Sequence, residues 1–385
     1  MKSGNVKWEF KCMKEVFVIA DNIVSPLGNT TEENFAALCD GRSAVKKHQD
    51  AKKSDTPFFA SLFDADRFED GDLTKFEQVL ITSIKDAVSK TDIDLSSDKT
   101  ALIISSTKGN ISLLEENELT PELKERISLS SSAQKIAAHF NLQTRPVVIS
   151  HACISGLVAL ITAKRLLQAG KFDNIIIAGA DVITKFILSG FQSFQAVSDD
   201  LCKPFDKDRK GINLGEAAAT VILSINKPEG DAIQLAGGAV SNDANHISGP
   251  SRTGQELFQA IDAALQESGI DKKEIGFISA HGTATLYNDD MESKAITLAG
   301  LQEVPLNSLK GFYGHTLGAA GLLEVVISIQ SLKEGKIIPT KGFDKAGTAM
   351  PVNVCSNLIE KELKACLKTA SGFGGCNAAV ILQLN

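Results

Sequence analysis

Four short segments of the sequence combine a cysteine, two histidines and a lysine with glycine and other small residues. They are SHACISG (150–156) with Cys153, SAHGTAT (279–285) with His281, KGFYGHTLGAAG (310–321) with Lys310 and His315, and SGFGGCN (371–377). These residue types suit acyl transfer, in which a thiolate attacks an acyl group and holds it as a thioester. Backbone N–H groups at a helix start or in a glycine turn stabilise the oxyanion of such a reaction. A Cys-His hydrolase, with one histidine oriented by Asn or Asp, and a buried, inert cysteine are the alternatives.

Cys153 is predicted to lie where a strand becomes a helix. The run 145–149 is apolar and opens with proline, which indicates a buried strand, and apolar residues recur at helical spacing from Leu157 until Gly170. The unpaired N–H groups and the positive dipole end of a helix start favour a thiolate. We therefore interpret Cys153 as a candidate nucleophile.

The same order of elements occurs twice in the chain. Residues 143–171 run from a strand through the turn with Cys153 into an apolar helix. Residues 302–336 run from a strand through the turn with His315 into another apolar helix. This repetition predicts two copies of one α/β unit, although chance similarity is the alternative. Both turns would then lie at the carboxyl ends of strands, where ligands of α/β sheets bind.

Alternating strands and helices are predicted along both halves. The strands fall at 15–20, 100–106, 145–149, 174–180 and 217–225, then at 232–240, 275–280, 304–308, 364–370 and 378–384. The turn-rich stretch 226–230 separates an N-terminal half (1–226) from a C-terminal half (231–385). The polar residues 42–70 are interpreted as an irregular surface excursion.

The composition narrows the class of protein. The 385 residues are 43% hydrophobic and 23% charged, which is typical of a soluble globular protein. The net charge of −7 argues against non-specific nucleic-acid binding. Seven cysteines without a C-x-x-C pair argue against a disulfide framework or a zinc site. The N-terminal residues lack the apolar core of a secretory signal, and no stretch is long enough to span a bilayer. We expect a cytoplasmic protein without nucleic-acid or membrane partners.

Other polar side chains are secondary candidates. Glu292, on the helix after the second segment, is a possible partner of Lys310 or an ordinary exposed acid. His151 precedes Cys153 closely, but the last residue of a strand usually points away from the side chain of the following turn. Cys376 is interpreted as a small packing residue. The remaining histidines have no small-residue context and are interpreted as surface or structural; they are His48, His139 and His246.

Taken in order, the four segments resemble those of β-ketoacyl-acyl carrier protein synthases of the elongating, Cys-His-His kind. The matching residues are Ala152-Cys153 and Gly156; His281-Gly-Thr283 and Thr285; Lys310, Gly314-His315 and Gly318-Ala-Ala-Gly321; and Gly372-Phe373-Gly-Gly375 with Asn377. SPLG (25–28), PFDKDR (204–209) and LGEAA (214–218) extend the resemblance nearly end to end. The resemblance implies an α/β protein with the duplicated, five-layer αβαβα thiolase-like fold. It also implies a homodimer, or a heterodimer with a related subunit.

The resemblance assigns the main chemical roles. Cys153 would accept the acyl chain from acyl carrier protein. His281 and His315 would bind the carbonyl of the malonyl thioester and favour its decarboxylation, and the enolate would attack the acyl-enzyme in a Claisen condensation. The N–H groups of Cys153 and Phe373 would form the oxyanion hole, and the Phe373 ring would gate the acyl tunnel. The chain extended in this way would be a fatty acid or a specialised polyene or polyketide-like chain.

Supporting roles are implied for four more residues. Lys310 would hold the histidine region in place, paired with Glu292. Thr283 and Thr285 would contact the phosphopantetheine arm of the carrier protein. The enzyme would need no cofactor of its own, since its substrates arrive on that arm.

The sequence departs from the family pattern at several positions. The chain is short around 42–70, and Ser371, Cys376 and Ala284 stand where many members have Phe, Thr and Ser. A missing aromatic side chain at position 371 bears on the preferred acyl chain rather than on the reaction.

An acidic carrier protein requires a basic patch at the mouth of the pocket. The candidates are Lys203, Lys207, Arg209 and Lys210, with Lys75 as a further one, and a solvated charged loop is the alternative. Two other functions are weighed for the chain. A thiolase-type acyl-CoA acyltransferase would need a second catalytic cysteine, and a non-catalytic subunit resembling a chain-length factor would lack the nucleophile.

Overall fold

A computed structural model describes residues 14–64, 66–68, 71–115, 117–244 and 249–385. The strands in these ranges are β1 (Phe17–Val24), β2 (Lys46–His48), β3 (Phe58–Ser61), β4 (Thr100–Ser105), β5 (Val147–Ile149), β6 (Asn174–Asp181), β7 (Leu214–Gly215), β8 (Ala217–Ser224), β9 (Ile233–Asn242), β10 (Ile275–Ser279), β11 (Leu306–Asn307), β12 (Lys336–Ile337), β13 (Ile359–Glu360), β14 (Ala365–Gly372) and β15 (Cys376–Leu384). The α-helices are α1 (Thr31–Cys39), α2 (Lys75–Ser89), α3 (Pro121–Arg126), α4 (Leu129–His139), α5 (Ser155–Gln168), α6 (Lys185–Ser193), α7 (Gln255–Ser268), α8 (Leu286–Leu298), α9 (Lys310–Tyr313) and α10 (Ala320–Glu334). None of these helices combines the length and the apolar character needed to cross a membrane.

Ten strands form one sheet that consists of two units with the same topology. Its order is β11-β10-β14-β15-β9-β1-β8-β6-β4-β5. We call β1, β4, β5, β6 and β8 the first unit, and β9, β10, β11, β14 and β15 the second unit. Numbered within its own unit, each half has the strand order 3-2-4-5-1. In both units the pairs 2-3 and 2-4 are parallel and the pairs 4-5 and 5-1 are antiparallel. The predicted duplication of one α/β unit is confirmed.

The two units enclose a central layer of helices. Side chains of α5 and α10 form one core with the inner faces of both units. Helices α2 and α4 cover the outer face of the first unit, and α7 and α8 cover that of the second. The strands of the first unit alternate accordingly, with Ile103 facing the central helices and Leu102 facing α2 and α4. These layers give the predicted αβαβα arrangement.

Two glycines let the central helices approach each other at their starts. A β-carbon on Gly156 would lie 2.6 Å from the backbone nitrogen of Leu322, closer than real atoms come. A β-carbon on Gly321 would lie 3.0 Å from the side chain of Leu157. The glycines therefore bring together the first turns of α5 and α10, next to the turns that carry Cys153 and His315.

Two predicted features differ in the structure. The run 145–149 was expected to be a buried strand, but β5 is half-buried, because it is at the end of the sheet order and pairs with β4 on one side. Residues 42–70 were expected to be irregular, but they contain β2 and β3. Phe58 and Leu62 from this segment are buried against α6, a contact that the local sequence pattern does not reveal.

Candidate active site

Cys153 lies in the tight turn that joins β5 to α5. Ala152, just before it, has a φ of +45°, a conformation that is strained for a residue with a side chain. The Ser155 hydroxyl holds this turn, since it donates to the Ala152 carbonyl and accepts from the N–H of His151, each at 2.7 Å. Cys153 itself is partly exposed. The turn therefore presents the sulfur to the space in front of the sheet.

The thiol of Cys153 is not the preformed thiolate that the helix start suggested. Burial raises the pKa of Cys153 to about 12, and the neighbouring Cys376 also raises it. The positive charges of Lys310 and Lys108 act in the opposite direction but do not outweigh burial. The thiol is therefore protonated at neutral pH and must lose its proton during the reaction.

His281 is the second residue after β10 and is fixed through its backbone. The Glu292 carboxylate on α8 accepts hydrogen bonds from the N–H groups of His281 and Gly282, each at 2.8 Å. Gly282 has a φ of +43° and Ala284 a φ of +60°, so the loop curls back tightly after the strand. Glu292 is thus a support of the His281 loop and is fully buried.

His315 lies between α9 and α10 and is held by a loop of the first half of the chain. Its N–H donates to the carbonyl of Asn213 at 2.7 Å, and its carbonyl accepts from the N–H of Gly215 at 3.0 Å. A β-carbon on Gly215 would lie 1.8 Å from the carbonyl oxygen of Tyr313, so only glycine allows this approach. The LGEAA motif therefore positions His315, a role that the sequence did not disclose.

The three reactive side chains converge on one cavity. The Cys153 sulfur and one ring nitrogen of each of His281 and His315 all lie within 4.8 Å of one another. The two imidazole rings are 5.2 Å apart between centroids and nearly perpendicular, at 82°. These residues line one cavity together with Thr283, Thr285 and Phe373. The fold thus assembles the predicted residues at the ends of strands from both units.

Both histidines are neutral and available to a ligand. Burial holds the pKa of each imidazole well below the ordinary value of histidine, and the positive charge of Lys310 lowers it further. Among the described residues, Nδ1 of His281 and both ring nitrogens of His315 have no hydrogen-bond partner although they are buried. Each neutral ring offers one N–H donor and one acceptor. A cysteine and two histidines at these distances are also able to bind a zinc ion. Among the described residues, however, no carboxylate accepts a hydrogen bond from either imidazole to fix the orientation of that ring.

Lys310 pairs with a different carboxylate from the one that was predicted. Its ammonium lies 2.5 Å from Glu324 on α10, and the expectation that it pairs with Glu292 is wrong. Glu292 is unavailable because it binds the N–H groups after β10. Glu324 also forms an ion pair with Lys368, a fully buried lysine of β14 that sequence reasoning missed. The available signal was a single acid in the apolar helix LLEVVISI and a single lysine in the apolar strand ACLKTAS.

An aromatic cluster stands over the cavity. The Phe373 ring is stacked on Phe191 at 5.8 Å between centroids and contacts Phe194 edge-on at 5.5 Å. Helix α6 and the residue after it thus supply aromatic neighbours for Phe373 although position 371 is a serine, whose hydroxyl donates to Asn377. A β-carbon on Gly372 would lie 3.0 Å from the Cys153 nitrogen and 3.0 Å from the Cys376 sulfur. The glycine turn is therefore packed directly against the nucleophile turn.

The proposed basic patch is only partly available. Arg209 is buried, donates to Asp290 at 2.7 Å and also binds the carbonyls of Asp206 and Gly347, so it stabilises its own loop. Its interpretation as a surface cation is wrong, because a guanidinium can satisfy several buried acceptors at once. Three lysines of the patch remain accessible; Lys207 and Lys210 are exposed and Lys203 is half-buried.

The remaining candidate residues from the sequence lie at the surface, in structural contacts or on the wall of the cavity. His151 is exposed, and His48 donates from Nε2 to the Ala60 carbonyl, 3.0 Å away. Lys75 forms an ion pair with the buried Glu216 at 2.6 Å. Thr283 and Thr285 hydrogen-bond to each other at 2.8 Å on the wall of the cavity. His139 ends α4 at the surface, and His246 lies outside the described residues.

Comparisons with known proteins match this chain over nearly its whole length. The model of the beta-ketoacyl synthase N-terminal domain matches residues 13–228, and that of the C-terminal domain matches residues 233–344. The 3-oxoacyl-[acyl-carrier-protein] synthase 2 of Vibrio cholerae serotype O1 is 27% identical over 409 residues, which cover 96% of this chain and 99% of that protein. A putative polyketide beta-ketoacyl synthase 1 of Streptomyces halstedii is 31% identical over 278 residues, 68% of this chain and 66% of that protein.

Solved structures share the fold over nearly the whole chain. The ishigamide ketosynthase/chain length factor superposes with a TM-score of 0.86 at 25% identity and covers 96% of this chain and 99% of its own. The ketosynthase ApeO of Xenorhabdus doucetiae, solved in complex with its chain length factor ApeC, superposes with a TM-score of 0.85 at 24% identity, over 98% of this chain and 100% of that chain.

Proposed function

The chain belongs to the β-ketoacyl synthase family, whose members condense acyl chains in fatty acid or polyketide-like elongation, and we propose that Cys153, His281 and His315 carry out this reaction here. The observation that carries the proposal is the convergence of one thiol and two neutral imidazoles within 4.8 Å in a single cavity. The unpartnered ring nitrogens leave hydrogen bonds to be made with a substrate.

The first step transfers an acyl group to Cys153. The sulfur attacks the carbonyl carbon of the thioester on acyl carrier protein, and His315, which has a ring nitrogen within 4.8 Å of the sulfur, takes the thiol proton. The new C–S bond forms on Cys153, the bond to the phosphopantetheine sulfur breaks, and that sulfur leaves with the proton. The N–H groups of Cys153 and Phe373 stabilise the oxyanion formed on the way.

The second step forms the carbon–carbon bond. His281 and His315 donate their N–H groups to the carbonyl oxygen of the malonyl thioester, which stabilises the enolate as carbon dioxide leaves. The enolate carbon then attacks the acyl carbon on Cys153, the C–S bond breaks, and the departing thiolate takes up a proton from solvent to restore the thiol. Neutral rings suit this step, because each one keeps a donor for the oxygen without a proton that quenches the enolate.

Access and specificity depend on the surroundings of the cavity. Thr283 and Thr285 line it, which supports their role as contacts for the phosphopantetheine arm. The cluster of Phe373 with Phe191 and Phe194 covers the route to Cys153, so movement of these rings would admit the acyl chain. The exposed Lys207 and Lys210, with Lys203, form the surface for an acidic carrier protein.

The enzyme acts as a homodimer or as a heterodimer with a related subunit. The half-buried edge of β5 supports this, since an edge strand with one free side can pair with a second chain. The ketosynthase ApeO, which shares this fold, was solved with a chain length factor. We further propose that the protein works in the cytoplasm and needs no cofactor beyond the carrier's phosphopantetheine.

The test is intact-protein mass spectrometry after mixing the enzyme with saturated, unsaturated and aryl thioesters of acyl carrier protein. We expect an acyl adduct that is absent in Cys153→Ala and that malonyl-acyl carrier protein discharges as a β-ketoacyl product. The best acyl donor would then identify the pathway. Failure of every donor to load Cys153 would contradict the proposal and favour a non-catalytic subunit. Condensation of acetyl-CoA alone would favour a thiolase-type activity.

A further inference from the structure

Lys368 is a charged residue in the middle of the apolar strand β14. It is fully buried, and its ammonium donates to the carbonyls of Ser279 at 3.1 Å and Ala280 at 3.0 Å. The same ammonium lies 2.6 Å from a Glu324 carboxylate oxygen. A buried ammonium persists only where it is paired and hydrogen-bonded. Two of its three partners are the residues that immediately precede His281.

The next residue of β14 holds the other side of the same loop. Thr369 donates its hydroxyl to Glu292 at 2.6 Å, and Glu292 accepts the N–H groups of His281 and Gly282. Successive strand residues point to opposite faces, so Lys368 and Thr369 reach the loop from two sides. The backbone around His281 is therefore fixed by its carbonyls on one side and by its N–H groups on the other.

Glu324 joins the two histidine segments through its two lysines. Lys310, which begins α9 ahead of His315, contacts one carboxylate oxygen, and Lys368, behind His281, contacts the other. Lys368 and Lys310 are balanced by Glu324 and the fully buried Glu292. Lys310 and Lys368 thus share Glu324, while Lys368 donates to the backbone that leads to His281.

We propose that Lys368 is a positioning residue for His281, which it holds at the distance from Cys153 and His315 that decarboxylation of the malonyl thioester requires. This inference rests on the proposed function of the two histidines. Lys368 contacts no reacting atom and acts through the Ser279 and Ala280 carbonyls. A displacement of the ring by about 1 Å is enough to slow a positioned reaction on the order of 100-fold.

The experiment separates the two half-reactions in Lys368→Met, which keeps the length of the side chain and removes its charge. Malonyl-pantetheine serves as the probe for decarboxylation, and hexanoyl-pantetheine serves as the probe for loading of Cys153, followed by intact mass. We expect the kcat of decarboxylation to fall at least about tenfold, while the loading rate stays within about twofold. The selective loss distinguishes positioning of His281 from general damage to the fold.

Lys164→Met is the matched control. Lys164 is also buried, donates to the Ala236 carbonyl at 2.6 Å and pairs with Glu267 at 2.7 Å, but it lies far along α5 from the cavity. Its loss should lower the thermal unfolding temperature without a selective effect on decarboxylation. If Lys368→Met does not fold, Lys368→Gln is used, since its amide keeps donors for the carbonyls and a smaller selective loss is expected.

Two outcomes would overturn the inference. Equal losses in loading and decarboxylation, or decarboxylation at the rate of the Lys164→Met control, would mean that Lys368 only stabilises the fold. If the wild type and Lys368→Met decarboxylate at the same rate, only the inference about Lys368 is contradicted. If the wild type neither becomes acylated on Cys153 nor decarboxylates the malonyl thioester, the proposed function itself is contradicted. The two failures are therefore distinguishable.

Discussion

The two repeated units fix the segment after their second strand with side chains of opposite charge. In the first unit, Asp181 at the end of β6 accepts from the Ser106 hydroxyl at 2.7 Å and from the N–H of Lys108 at 3.2 Å, just after β4. In the second unit, Lys368 on β14 donates to the carbonyls at the end of β10. The same strand order therefore tolerates either sign, because a carboxylate suits N–H groups and an ammonium suits carbonyls.

The units also divide the chemistry. The turn after the third strand holds Cys153 in the first unit and His315 in the second, while the turn after the second strand carries an imidazole only in the second unit. Asp181 crosses between them, since it also accepts the N–H of Gly318 at 2.7 Å. In the proposed mechanism the first unit therefore supplies the nucleophile, and the second unit supplies the two imidazoles that bind the malonyl carbonyl.

Removal of each ring of the second unit gives the largest expected effect. His281→Ala should slow decarboxylation about 100-fold or more, the cost of one donor to a developing oxyanion, and leave loading of Cys153 nearly unchanged. His315→Ala should slow both half-reactions, because His315 also takes the thiol proton. Loading measured by intact mass and carbon dioxide release check this; equal effects of the two variants on loading would contradict the division of roles.

Substitution of Gly156 and Gly321 tests whether the two units contribute equally to the close approach of α5 and α10. Gly156→Ala should destabilise the protein by about 2 kcal/mol, since its new β-carbon would meet the Leu322 backbone. Gly321→Ala should cost less, because the Leu157 side chain that it meets can move. Urea unfolding gives both free energies. Gly190→Ala is the control, as nothing lies within 4 Å of that position; equal costs at 156 and 321 would refute the asymmetry.

The histidines of the second unit should also make stability depend on pH. Histidines of an unfolded chain bind protons below about pH 6.5, whereas the pKa of each buried ring is held well below this value. The unfolded state then binds more protons, so the free energy of unfolding falls as the pH drops below 6.5, by about 1.4 kcal/mol per pH unit for each ring. Urea unfolding between pH 7 and 5 gives this free energy at each pH. In the double variant His281→Gln with His315→Gln, the free energy of unfolding should fall less steeply with decreasing pH than in the wild type. Equal slopes would argue against two neutral buried rings.

The smallest expected effect concerns the carrier-protein surface of the first unit. Lys207→Glu with Lys210→Glu should raise the KM for acyl carrier protein thioesters about threefold to tenfold, since exposed charges mainly assist encounter. The KM for a pantetheine thioester should not change. Lys272→Glu with Lys273→Glu, exposed on the second unit, is the control. Equal changes in both double variants would mean that net charge, and not this surface, matters.

Much of the fold was predictable because its strands are apolar runs that local pattern reveals. The positions of the main strands along the chain, the repeat and the placement of Cys153 and His315 after corresponding strands followed from the sequence, whereas the order of the strands in the sheet did not. The half-buried state of β5 could not be predicted, because an apolar strand at the edge of a sheet has the same sequence pattern as one in its centre. The residue types alone left both acyl transfer and hydrolysis open as reactions of the cysteine, and the family resemblance decided between them.

The charged residues of the site were the hardest to predict. Glu324 and Lys368 are far apart in the chain from the histidines that they support, and only the packing of α10 against β14 brings them together. Arg209 reads as a surface cation because its neighbours are polar, yet its loop folds inward and buries it. The raised pKa of the Cys153 thiol likewise depends on burial, which a helix-start argument does not include.

The shared strand order of the two units bears on how such a site can arise. A symmetric pair of identical single units would place the same residue after both third strands, giving two cysteines or two histidines but never one of each. Joining two copies in one chain removes that symmetry and lets each copy change alone. The Cys153–His315 pair therefore requires two copies with different sequences, which a single fused chain provides, and the Asp181 contact to Gly318 ties the two copies together next to that pair.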